Sequence, residues 1–99
     1  MAIHYSNGSG HLYEKDTPDF PVARINYNLT ELDATVYTNK RWWGDFNAEQ
    51  ELKHQGSFLI DFEEARKGEC IVVTNPEASS KKAKIWYYHF NGRGKLGRR

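Results

Sequence analysis

The chain predicts an all-β protein, a small antiparallel six-stranded barrel or strongly curved sheet, with at most one short helical turn near residues 47–55. Three observations carry this. Apolar residues recur at alternate positions in several short runs, the period of a half-buried strand. Turn-forming residues punctuate those runs, and no long amphipathic segments lie between them, which argues against βαβ units and a parallel sheet. The composition is also ring-rich: 38% of the 99 residues are hydrophobic and 14% are aromatic. A core short of aliphatics must be built from Tyr, Phe and Trp, which bury large areas while keeping a polar edge near water. Closure is favoured because it removes vulnerable strand edges.

Taken in order, residues 1–9 are small and polar and read as a flexible lead, and His11–Lys15 as a first short strand. Asp16–Pro21 holds two prolines and two acids and reads as a turn. In 22–32, Ala23, Ile25, Tyr27 and Leu29 alternate with Arg24, Asn26 and Asn28, which predicts a strand with one apolar face. Residues 33–43 are rich in Thr, Val, Tyr and Trp, favoured in strands. In 44–56 Asn47 is a candidate N-cap, Gln50 the capping-box partner and Gly56 the stop. Leu52 is almost the only apolar residue of that segment, so it cannot dock firmly and is a short exposed turn or a loop. Residues 56–64 put Phe58, Ile60 and Phe62 on one face and Asp61 and Glu63 on the other. Residues 65–68 read as a tight connection, and 69–75 as a strand covered on both sides. Residues 76–82 read as a polar loop. In 83–90 Trp86, Tyr88 and Phe90 share one face. Residues 91–99 read as a basic Gly/Arg tail.

Ninety-nine residues suit a single domain. The net charge of +1, from 14 Lys and Arg against 13 Asp and Glu, argues against a globally basic nucleic-acid cloak. The cations are unevenly spread, with ten of them in residues 51–99 and no acid after Glu77. No apolar run approaches the roughly 20 residues of a helical membrane span, and the first ten residues lack a signal-peptide pattern. Together these lead us to expect a cytoplasmic protein without membrane attachment. Asn28-Leu29-Thr30 fits a glycosylation acceptor pattern, which has little meaning without export.

Cys70, the lone cysteine, opens an apolar strand and reads as a buried structural thiol. The four histidines, at 4, 11, 54 and 89, show no paired metal-ligand spacing, so no metal and no cofactor is expected. An enzyme would have to use His89 or the Asp61/Glu63 pair, and neither shows a nucleophile–base pattern; catalysis is not expected. Gly92–Gly97 lacks the Lys-Ser/Thr ending and the following helix of a phosphate loop.

Lys40-Arg41-Trp42-Trp43, together with the last strand, carries the binding signal. The near-neutral net charge tilts the expected partner toward protein. The expected module is non-catalytic and contacts a protein partner through an aromatic and basic surface built from Lys40, Arg41, Trp42, Lys84, Trp86, Arg93 and Lys95. The alternative is weak single-stranded nucleic-acid binding, with bases stacked on rings and cations along the backbone. Adjacent strand residues face opposite ways, so one tryptophan of the pair must point inward. The phase of Tyr37 suggests Trp43 inside and Trp42 on the surface beside Lys40.

Overall fold

A computed structural model describes residues 3–34, 40–62, 66–75 and 82–98, without the side chains of Lys95 and Arg98. It has six strands and, among the described residues, no helix: β1 (Ile3–Tyr13), β2 (Pro21–Leu32), β3 (Arg41–Ala48), β4 (Gly56–Phe62), β5 (Arg66–Thr74) and β6 (Trp86–Arg98). They close into a barrel in the order β1-β2-β3-β6-β5-β4, with every neighbouring pair antiparallel. No helix among the described residues is long and apolar enough to cross a membrane.

Alternation builds the interior as the sequence predicts. Ala23, Ile25, Tyr27 and Leu29 of β2 are buried, as are Phe58, Ile60 and Phe62 of β4 and Tyr88 and Phe90 of β6. A barrel of this size has room for side chains and nothing else, and rings fill it. Tyr27 meets Phe62 edge-on at 4.6 Å between centroids, Phe62 lies 5.7 Å from Phe90, and Phe46 stacks on Tyr88 at 5.2 Å. Each such pair adds about 0.5–1.5 kcal/mol beyond the area it buries. The Tyr88 hydroxyl accepts a hydrogen bond from the Leu52 amide at 2.8 Å, so this ring keeps its polar edge satisfied at the barrel end.

Several boundaries differ from expectation. β1 starts at Ile3, because residues 3–8 pair with β2 in unbroken register; the polar lead is a strand. β5 starts at Arg66, so residues 66–68 belong to the strand and not to a tight connection. Only one face of β5 is covered: Cys70 and Val72 point inward, while Val73 is 46% exposed. β6 runs to Arg98, and the glycine–arginine end pairs with β5. The segment from Gly44 splits between β3, through Ala48, and an irregular link over 49–55. Asp61, expected on a solvated face, is 7% exposed. It sits in register between His11 and Lys67, where Gly10 lets β1 press onto the Asp61 carbonyl. Glu63 and residues 35–39 lie outside the described residues.

Candidate functional site

Two of the barrel's seams are shorter than the strands that form them. The β3–β6 ladder ends at Trp43–Asn91, although β3 reaches back to Arg41 and β6 continues to Arg98. Past that rung, among the described residues, β6 pairs only with β5, and it bulges: Lys67 and Glu69 are two apart, while their partners Gly97 and Arg93 are four apart. Gly94 sits in this bulge at φ 69°, a left-handed conformation in which glycine carries no steric penalty.

Trp42 fills the opening. Its ring is 2% exposed, and Nε1 donates to the Gly94 carbonyl at 3.1 Å. The indole replaces the missing ladder bonds with one of its own. Glycines make its slot. A Cβ at position 92 would lie 2.0 Å from Trp42 Cε2, and one at position 68 would lie 2.7 Å from Cζ2. Phe62 and Phe90 complete the slot at 5.9 and 6.1 Å between centroids.

The expected order of the two tryptophans is therefore reversed: Trp42 is the core residue and Trp43 the half-buried outer one. Residues 36–37, whose phase the expectation used, lie outside the described residues, and β3 begins at Arg41. Phe46 and Ala48, both buried, set the phase instead, and Trp42 shares their face.

Outside the indole lies a groove of about 690 Å³, lined by Lys40, Arg41, Trp42, Trp43, Asn91 and Leu96 among others. The Arg41 guanidinium lies 5.9 Å from the Trp43 ring centroid, a cation–π arrangement. Lys40 Nζ lies 3.9 Å from Glu31 Oε1 and remains half exposed. Its described lining holds two cations and no acid.

Three of the seven sequence-chosen residues, Lys40, Arg41 and Trp42, thus meet at one place. Lys84 and Trp86 do not join them: Lys84 is exposed ahead of β6, and Trp86 opens β6 opposite Ala48, partly buried against the core. Arg93 is exposed and turned to Glu69 on β5, 3.9 Å away. The Lys95 side chain lies outside the described atoms. Trp43, Asn91 and Leu96 were missed; the alternation of Phe46 and Ala48 was a signal that could have placed Trp43 outside.

The groups considered for catalysis stand apart. His89 is exposed on the outer face of β6, opposite Asp45 on one side and Val73 on the other. Cys70 is fully enclosed, and burial, with the nearby Glu69 charge adding to it, pushes its thiol up to about 12. The thiol form therefore dominates at neutral pH, and nucleophilic character is suppressed. No three His, Cys, Asp or Glu side chains among the described residues come together as a metal-ligand set.

Comparison with protein-family models, with curated proteins and with solved structures gives no match for this chain.

Proposed function

We propose that this barrel is a non-catalytic binding module that contacts a protein partner through the groove between β3 and β6. The observation that carries the reading is the parting of the β3–β6 seam beyond Trp43–Asn91, which leaves a cleft with cationic and apolar walls. Lys40 and Arg41 suit carboxylates, and Trp43 and Leu96 suit an apolar side chain between them. An extended acidic segment of a partner matches both, because a strand-like chain lies naturally where a sheet has parted.

Single-stranded nucleic acid fits less well. Such strands are held by successive stacked bases, and with Trp42 inside the barrel the described lining of the groove offers one outer ring, already faced by Arg41.

The test is parallel capture from cell extract with the parent chain and with Arg41→Glu/Trp43→Ala. A discrete protein retained by the parent and lost by the variant is the expected result. Equal retention by both removes the groove from the interaction. Binding of single-stranded DNA or RNA at about 50 mM salt, weakening as salt rises, would transfer the reading to nucleic acid.

A further inference from the structure

The outer face of β1-β2-β3-β6 carries a second feature, separate from the groove's cations. The register aligns its outward side chains into rows. One row runs Asn7, Asn28, Asp45 and His89 across the four strands. The next runs Ser9, Asn26, Asn47 and Tyr87. Trp43 and Asn91 stand side by side on the border of the first row, with Tyr5, 77% exposed, two strands away.

Asn and Asp are depleted in strands. A solvated sheet face is made more stably from Thr or from long charged side chains, yet neighbouring strands here concentrate amides. Where local preference is overridden this consistently, function is the usual reason. The amides are also held in place. Ser9 Oγ donates to Asn26 Oδ1 at 3.0 Å, Asn26 Nδ2 to Asn47 Oδ1 at 3.4 Å, and Asn28 Nδ2 to Asp45 Oδ1 at 3.0 Å. Each primary amide has two donor hydrogens and a two-lone-pair acceptor, so one bond fixes its plane and leaves hydrogen-bonding capacity for a ligand.

We propose that this face binds a carbohydrate chain. Fixed planar groups that both donate and accept match vicinal hydroxyls, which do the same. The exposed ring of Tyr5 suits the C–H side of a sugar. Asp45 is the one acid in the two rows, and one cation, Arg24, and one further acid, Glu49, adjoin them, so the face favours a neutral ligand over an anion. Four strands at about 4.8 Å spacing give a strip about 14 Å wide. A depression of about 440 Å³ lined by Arg24, Asn26, Glu49 and Gln50 extends the second row. Those dimensions suit an oligosaccharide better than a single sugar.

The experiment is titration of the intact chain with cellohexaose, maltohexaose, chitohexaose and mannohexaose at millimolar concentration, followed by the backbone amide resonances of positions 28 and 47 in two-dimensional NMR, which parent and variant both possess. At least one sugar is expected to shift both. The decisive variant is Asn28→Thr/Asn47→Thr, which replaces poor strand formers with a good one. It is expected to melt no lower than the parent, because its strand preference rises, and to bind about tenfold more weakly, the loss expected from two hydrogen bonds. Lys40→Ala, in the groove, is expected to leave sugar binding unchanged. No shift with any of the four sugars, or shifts that survive the double substitution, would overturn the proposal. A variant that loses stability and keeps sugar binding would make the amides structural.

Discussion

Where β3 and β6 part, an indole fills the gap; where β1 outruns β4, an ion pair crosses it. The β1–β4 seam has three rungs, His11–Asp61, Leu12–Ile60 and Tyr13–Leu59. Past them, Arg66 reaches from β5 to bond Glu31 of β2 at 2.8 Å and Ser6 of β1 at 3.4 Å. Both charges are mostly buried, and Arg66 Nε is enclosed without a hydrogen-bond partner. The two closures differ in kind. Trp42 desolvates no charge, makes its single polar bond and is gripped by sterics on several sides. The Arg66–Glu31 bridge gives up hydration on two ions, so its net contribution is small even though removing either partner is costly. The indole therefore fixes the barrel's shape at one seam, and the ion pair ties β5 to β2 at the other.

Trp42→Ala tests the first closure and should show the largest effect, about 3–5 kcal/mol of lost stability in urea unfolding. Gly92→Ala should cost about 1–3 kcal/mol or more in the parent by expelling the ring. In a Trp42→Ala background the same substitution should cost much less. Independent, additive losses would mean that the slot and the ring do not form one unit.

The ion pair is sharpened by a different cycle. Arg66→Met alone should cost about 3 kcal/mol, because Glu31 is left mostly buried with only its 3.9 Å contact to Lys40, whereas Glu31→Leu/Arg66→Met should be near neutral. A double variant as unstable as the single one would make the bridge a net stabiliser and erase the contrast with Trp42.

The smallest effects are pH-dependent and lie on exposed groups. His54 stacks on Phe58 at 4.9 Å and pairs with Glu14. The Glu14 side-chain bond raises the histidine's pKa, with help from the Gln55 carbonyl. A raised folded value means that the contribution is whole below the unfolded value near 6.5 and is lost as pH climbs through the raised one. Glu69 behaves oppositely: the Lys15 bond lowers its pKa, with Arg93 adding to it. Its contribution is present above the ordinary carboxylate range and is lost as pH falls through the lowered value. Paired melting curves of the parent and His54→Gln should converge at high pH; a gap independent of pH would assign His54 to packing on Phe58.

The sequence carried the barrel because period-two patterning survives in β2, β4 and the first half of β6, where Trp86, Tyr88 and Phe90 alternate as expected. It failed where pairing overrides composition. Residues 3–8 and 91–98 look like tails by content, yet the first finds an unbroken ladder on β2 and the second a bulged one on β5. The Trp42 phase was carried by Phe46 and Ala48 and misread from Tyr37, but the slot for the ring was hidden for a related reason. The slot that holds the ring is made by absences, the missing Cβ atoms of Gly68 and Gly92, far along the chain and indistinguishable from turn glycines until the strands are laid together. The amide rows were half visible: Asn26 and Asn28 alternate in β2, but their continuation through Asp45, Asn47 and Asn7 needs the register.

The last rung of the parted seam has a chemical consequence of its own. Asn91 precedes Gly92, and an Asn–Gly peptide ages readily: the glycine nitrogen attacks the side-chain carbonyl and expels ammonia, and water opens the resulting succinimide to aspartate or isoaspartate. That attack needs backbone freedom which a paired strand denies, and Asn91 is paired to both Trp43 and Ile71. Asn7–Gly8, held by β2 alone among the described strands, serves as an internal standard. The ratio of ageing at the two sites over weeks of storage is thus a clock for how often the seam opens, and each tick at Asn91 places a negative charge on the wall that Lys40 and Arg41 make positive.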